Sequence, residues 1–212
     1  MNKATPARKR PDMPRLTRDD WLDAAFKAVV EGGFDNVRVL VLAETLGVTR
    51  GSFYWHFSDH AALITALLAR WLEREVALNQ TLQLVALPEP QADLEQLLEA
   101  ALAHAGADLE NMRFELALRG LGRRDPAVAN MLVEVDDARM TLFESKFLRL
   151  TGNPETAGEL AVLFYLAIVG GYQALSRPKS PPQAKEFLMG IISKYLIDQQ
   201  IPPTPPRRPK RP

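Results

Sequence analysis

The chain has 212 residues, 47% of them hydrophobic, with 26 Lys and Arg against 26 Asp and Glu, three His and no Cys. That length holds one large or two small domains with a sizeable core. The lack of cysteine excludes disulfides, thiolate metal sites and a Cys nucleophile, and three histidines without Cys partners give no reason to expect a metal or another cofactor. The most apolar run, Leu160 to Val169, is ten residues, against the roughly 20 that a membrane-spanning helix needs. The first 18 residues are basic and interrupted by proline, unlike a secretory signal. The expectation is a cytoplasmic protein with no membrane partner.

The balanced charge hides a division. Residues 1–18 carry six cations and one acid, and residues 201–212 carry four cations and no acid. The rest of the chain therefore holds nine acids in excess. Basic ends on an acidic body suggest that the ends meet a polyanion and the body does not; alternatively, the tails only aid solubility. Residues 1–15, with Pro6, Pro11 and Pro14, are expected to be a disordered arm.

The first helix is predicted to begin at Thr17. Thr17-Arg18-Asp19-Asp20 has the form of a capping box, with Asp in place of Glu or Gln. Trp21, Leu22, Ala25, Phe26 and Val29 recur at helical spacing, and Gly32-Gly33 ends the helix. Phe34 is expected to fold back onto the core. A second helix is predicted over about 39–46, with Asn36 as a possible cap. Gly47 suits the left-handed exit from that helix, and Thr49 suits the cap of the next.

The helix that follows Thr49 is short, and its composition is unusual. Phe53 and Phe57 lie four apart and can anchor it. Arg50, Ser52, Tyr54, Trp55 and His56 present donors and flat rings on the rest of its surface. Base edges and phosphates are recognised by such groups. Helix, turn and helix over this stretch make a helix-turn-helix arrangement.

A long helix is then predicted from Ser58 or Asp59 to about Leu84, and Pro88 and Pro90 break the chain after it. Further helices are predicted at about 91–105, 108–121 and 126–150, the last capped by Asp125 with Pro126 at its first position. Asn153-Pro154 starts another, running to Ser176, and a final helix covers about 183–199. Residues 201–212 form a proline-rich basic tail expected to be disordered. No strand is predicted, so the fold class is all-α.

The stretch from about Thr17 to Leu68 resembles the DNA-binding domain of the TetR family of transcriptional regulators. The matching residues are Ala25, Phe34, Leu42-Ala43, Gly47-Val48-Thr49, Tyr54, His56-Phe57 and Leu63. The resemblance implies a three-helix helix-turn-helix domain at residues 16–62 and a helical effector-binding and dimerisation domain at 63–200. It implies a homodimer that places two heads in successive major grooves of a palindromic operator in double-stranded DNA, about 34–36 Å apart. It also implies a small-molecule effector of unknown identity that releases the DNA, so that the protein acts as a repressor.

On that resemblance Arg50, Ser52 and Trp55 are expected to face base edges. Thr49, Tyr54, His56 and His60 are expected to bind phosphates. Two positions depart from the family pattern. Arg38 stands where a capping Ser or Thr is usual; it can reach phosphate but cannot cap. His60 stands where Lys is usual. These departures motivate an alternative reading, a helical dimer that binds a small molecule or a protein and carries a degenerate head.

The helix over 154–176 is apolar on every side, which requires partners on every side. With the last helix it supplies the expected dimer interface: Leu163, Phe164, Ile168, Gly171, Tyr172, Phe187, Ile191 and Tyr195. Gly170-Gly171 is expected to admit a close helix. The family also implies a ligand pocket in the second domain. Its candidate residues are Trp71, His104, Met112, Phe114, Met131, Phe143, Phe147 and Tyr165, although such residues are more often plain core. Arg113, Arg119 and Arg139 could meet an anionic ligand or simply be solvated. No catalytic constellation is present: no nucleophile elbow, no phosphate-binding glycine loop and no paired carboxylates on one face. The chain does not read as an enzyme.

Overall fold

The computed structural model describes residues 16–103, 109–176 and 183–200, and every regular element in them is helical. Outside the described residues lie His104, the basic arm at 1–15 and the proline-basic tail at 201–212.

Helix α1 (Arg18–Gly32) starts at Thr17. The Thr17 hydroxyl accepts from the Asp20 backbone N–H, and the Asp20 carboxylate accepts from the Thr17 N–H at 2.6 Å, completing the capping box. The bonds from the Thr17 backbone and side chain hold the Asp20 carboxyl below its ordinary range. A 3-10 turn at Phe34–Asn36 leads to α2 (Val39–Thr45), whose first flanking residue is Arg38. Neither Arg38 nor Asn36 caps this helix: the Arg38 Nε donates instead to the Asp35 carbonyl at 3.3 Å, and no side chain covers the first turn.

Helix α3 (Arg50–Phe53) is four residues long, and α4 (His60–Leu84) follows with Asp59 as its cap. Then come α5 (Pro90–Ala103), α6 (Leu109–Gly122), α7 (Pro126–Thr151), α8 (Pro154–Leu175) and α9 (Ala184–Ile192). Helix α9 continues through a π turn and a 3-10 turn to Gln200. Asp125 and Asn153 each accept two backbone N–H bonds ahead of a first-turn proline, as expected for α7 and α8.

Two apolar cores divide the chain, though not at the proline break. The first is built on Trp21, Phe53, Leu63 and Leu67 of the head, and it also takes in Phe114 and Leu118 of α6 with Val128 and Leu132 of α7. Phe114 stacks on Phe26 with ring centroids 5.0 Å apart and meets Phe34 at 5.7 Å. Phe34 thus folds back, but onto a residue of the second half of the chain. The other core joins α5, α7, α8 and α9 around Phe143, Phe147, Phe164 and Ile197.

Helix α4 spans both regions. Its N-terminal part, at Leu63, Leu67 and Trp71, belongs to the head core, while Leu82 packs against the second. The Pro88–Pro90 break is tied to α7. Asp93 at the start of α5 is buried, accepts from Lys146 at 2.8 Å and from the Leu87 N–H at 3.0 Å, and also pairs with Arg149. Arg149 in turn donates to the carbonyls of Leu87 and Pro88.

Helix α8 is the one element among the described residues long and apolar enough to cross a membrane. Its packing is one-sided. Leu160, Ala161, Phe164, Ile168, Tyr172 and Leu175 are buried within the chain, whereas Val162, Leu163 and Leu166 are exposed.

Candidate nucleic-acid interface and internal cavity

The turn between α2 and α3 is set by Gly47, whose φ of 68° lies in the left-handed region that side chains disfavour. Beyond it, Thr49 takes the extended conformation of a helix-capping residue, but its side chain makes no cap bond. The Ser52 N–H bonds to the Thr49 carbonyl instead, at 2.9 Å. Phe53 and Phe57 are buried and stacked with centroids 5.5 Å apart, and the edge of Trp21 meets Phe53 at 5.3 Å. Trp21 has its indole N–H buried without a partner among the described residues.

This anchor turns the remaining side chains outward. Trp55 is 83% exposed and Tyr54 52%, Arg38, Thr49 and Arg50 are exposed, and Ser52 and His56 are partly so. Arg50 and Tyr54 form a unit, with an Arg50 Nη2 donating to the Tyr54 hydroxyl at 3.1 Å. His60, though exposed, has its Nε2 2.7 Å from the Val37 carbonyl, an acceptor, so that nitrogen carries the proton and donates within the head. Leu16 and Thr17 share a surface hollow with Gly47, Ser52, Trp55 and His56, which brings the start of α1 beside the turn.

A second site lies inside the body. A cavity with about 710 Å³ of atom-free space, its mouth included, is walled by α4, α5, α6, α7 and α8. Of the candidate pocket residues, Met112, Phe143 and Tyr165 line it. Trp71, Phe114 and Met131 do not: they belong to the head core or pack against it, because α6 turns Met112 and Phe114 to opposite sides. Phe147 is wholly buried beside Phe164 and does not reach the cavity either.

Glu75, Asn79, Asn111, Glu115, Arg139 and Tyr172 also line the cavity and were missed as pocket residues. One signal was available in the sequence: Glu115 and Arg119 lie four apart on a helix, the spacing of an ion pair.

The two arginines are not free for a ligand. Arg139 donates to Glu75 at 2.7 Å and to both oxygens of Glu115 at 2.9 and 3.0 Å. Arg119 donates to Glu115 at 2.7 Å and to both oxygens of Asp136 at 2.8 and 2.9 Å. Burial pushes the Glu115 carboxyl up, but Arg139 and then Arg119 outweigh it and hold it below the ordinary range. Asp136 is lowered in the same way, against burial, by Arg119 first. Burial and the bond to Asp136 push the Tyr165 phenol up to about 12, and burial raises Tyr172 further.

The expected dimer residues separate into two groups. Phe164, Ile168, Gly171 and Tyr172 are buried in the chain's own core, because α7 packs along that side of α8. A Cβ on Gly171 would stand 2.6 Å from the Leu188 side chain, so the close helix it admits is the chain's own α9. Leu163, Phe187, Ile191 and Tyr195 are exposed, as are Val162 and Leu166 of α8.

Comparison with known proteins bears on the head. Residues 22–67 match the family of bacterial regulatory proteins described as the tetR family. The chain is 37% identical over 62 residues to the class D tetracycline repressor protein of Escherichia coli, a stretch covering 29% of this chain and 28% of that one. It is 38% identical over 61 residues to the HTH-type transcriptional regulator TtgR of Pseudomonas putida, 29% of each. The similarity thus spans less than a third of these relatives' length.

Solved structures extend the likeness of fold to the body. A transcriptional regulator from Rhodococcus sp. Rha1 aligns over 89% of this chain and all of its own, with a TM-score of 0.70 at 20% identity. The ketosteroid transcriptional regulator KstR2 of Mycobacterium tuberculosis aligns over 87% of this chain and 95% of its own, at 0.66 and 15%. A protein from Saccharomonospora viridis in complex with choline aligns over 84% of this chain and 94% of its own, at 0.71 and 17%. The likeness in sequence to the tetR family of bacterial regulatory proteins thus rests on the N-terminal head, whose turn and outward-facing short helix the matched residues build.

Proposed function

We propose that the protein is a homodimeric, sequence-specific DNA-binding regulator that represses transcription and leaves a palindromic operator when a small molecule fills the internal cavity. One observation carries this reading: Arg50, Ser52, Tyr54, Trp55 and His56 are presented outward by a helix anchored on buried Phe53 and Phe57, beside the left-handed turn at Gly47. Arg50, Ser52 and Trp55 read base edges, while Arg38, Thr49, Tyr54 and His56 hold phosphates. His60 has its Nε2 engaged by the Val37 carbonyl and meets DNA through Nδ1.

The head at residues 19–60 carries three cations and seven acids. Leu16 and Thr17 lie beside the turn, and the basic residues that precede them in the sequence supply the missing positive charge. Helices α4 and α6 couple the two sites. Each places side chains in the head core and, on another part of its surface, side chains on the cavity wall. A ligand that favours one cavity shape therefore favours one head position, which is a population shift.

Titration with a duplex from upstream of the gene and with random duplex, at two salt concentrations, tests the reading. Tight, salt-sensitive binding to the first is expected; no binding to either at low salt would leave a helical ligand-binding dimer with a degenerate head. Arg50→Ala is expected to relax preference at one base position by about 1–3 kcal/mol. Tyr54→Phe is expected to weaken binding to all sequences alike. Because Arg50 rests on the Tyr54 hydroxyl, the double mutant should lose less than the two single losses combined. Equal losses on specific and random DNA for both single mutants would overturn these roles.

The exposed face of Leu163, Leu166, Phe187, Ile191 and Tyr195 is the proposed seam between two copies. Leu163→Glu with Phe187→Glu would place unpaired charges in that seam. Sedimentation should then report monomers that bind the operator poorly. An unchanged dimer would put the interface elsewhere, and partition of the wild-type protein into lipid vesicles would make a bilayer the partner of this face.

A further inference from the structure

We propose that the internal cavity takes a cationic amphiphile, a small organic ammonium with an aromatic or branched hydrocarbon body, and rejects anions. The inference rests on the reading of that cavity as the effector site. It starts from the charges around the wall. Glu75, Glu115 and Asp136 are three carboxylates, and Arg119 and Arg139 are two guanidiniums, so the cluster is formally negative by one.

Both cations are consumed within it. Both terminal nitrogens of Arg139 donate to carboxylates, and all three side-chain nitrogens of Arg119 do so. An anion entering the cavity would find no free guanidinium and would face Glu75 and Glu115. Of the two phenols, Tyr172 is already engaged, donating to the Ala101 carbonyl at 3.1 Å.

What the wall does offer suits a cation. Arg139 engages one oxygen of Glu75, whose side chain is 17% exposed at the wall. The side chains of Asn79 and Asn111 make no hydrogen bond among the described residues, so each can accept from an ammonium through its carbonyl oxygen or donate through its NH2, and the discrimination falls to the carboxylates. Phe143, Tyr165 and Tyr172 bring aromatic rings, whose faces attract cations. Leu78, Leu82, Leu97, Leu142 and Ile168 bury a hydrocarbon body. The solved structures of this fold include both a ketosteroid regulator and a choline complex, so the architecture leaves the ligand's charge open and the chain's own residues must set it.

Calorimetry on the full chain with three probes that share one carbon skeleton tests this: 2-phenylethylammonium, 2-phenylethanol and phenylacetate. The ammonium is expected to bind at least about tenfold more tightly than the alcohol, with phenylacetate weakest, because the excess carboxylate acts across a poorly screened interior. Glu75→Gln removes one formal charge and keeps an acceptor for Arg139. It should erase most of the ammonium's advantage and leave the alcohol unchanged.

The order of the three probes on the wild-type protein decides the matter even where the variant does not fold. Phenylacetate binding as tightly as the ammonium, the alcohol equalling it, or no probe binding at all would each overturn the proposal. Operator titration without any probe tests the regulatory reading separately, and its failure would leave the probe order standing.

Discussion

Replacing Glu115 by Ala is expected to destabilise the fold by about 3–5 kcal/mol, the usual cost of removing one partner from a buried ion cluster. Glu115 is 4% exposed and holds both guanidiniums at once. Without it Arg139 keeps Glu75 and a longer contact of 3.5 Å to Asp136, while Arg119 keeps Asp136 alone. The loss is dominated by guanidinium charge left with too little compensation in a place water reaches poorly. Urea unfolding should show a lower midpoint with an unchanged slope. A loss under about 1 kcal/mol would mean that the cluster relaxes toward solvent.

The same residue gives the acid limb of stability its sign. The folded-state pKa values of Glu115 and Asp136 both lie below the ordinary carboxylate range. A group lowered by folding contributes stability that is fully present above its unfolded pKa and disappears as pH falls through the folded value. Melting temperature should therefore hold on descent to the ordinary carboxylate range and drop below it. In Glu115→Ala the drop should be shallower, since one of the groups responsible is gone. A melting temperature that rises on acidification would contradict the assignment.

Phe53→Ala is the second large expected effect, at about 3–5 kcal/mol for a wholly buried aromatic side chain. Phe53 is the hub of the head: Trp21 meets it edge-on, Phe57 stacks on it, and Tyr54 packs against it at 5.3 Å. A cavity there removes the buried anchor within a four-residue helix whose N-cap, Thr49, makes no side-chain bond, and strips Phe57 of its stacking partner. Operator binding should be abolished and the emission of Trp21 altered, while α8 and α9, in the other core, keep their protection from hydrogen exchange. Phe53→Leu should retain most of both properties. Full operator affinity in Phe53→Ala would show that DNA itself orders the helix.

The starts of several helices, in head and body alike, were legible because their rules are local. The Thr17–Asp20 box, Asp59, Asp125-Pro126 and Asn153-Pro154 each satisfy backbone groups within three residues of themselves, so the side chain and its partner lie in one short window. Gly47 falls in the same class, since its backbone angle is forbidden to most other residues. Thr49 marks the limit of such reasoning. Its place in the chain suits a cap, but whether the hydroxyl turns inward depends on a rotamer, and the backbone carbonyl took that role.

The body was legible as helices but not as faces. Helix α8 is apolar all round, so its period cannot say which side meets α7 and which side stays open. The tertiary fold decided this: α7 and α9 cover Phe164, Ile168, Gly171 and Tyr172 and leave Leu163 and Leu166 bare. The cavity depended on the fold even more. Arg139 looked like a surface arginine until α4 brought Glu75, 64 residues away, to 2.7 Å, and α6 brought Glu115 alongside. Taken alone, the sequence determined where helices start and stop and which short helix points outward, because those outcomes rest on interactions within a few residues. Only the tertiary structure decided which charges neutralise one another and which apolar face remains free, because both are sums over neighbours that the chain order does not place together.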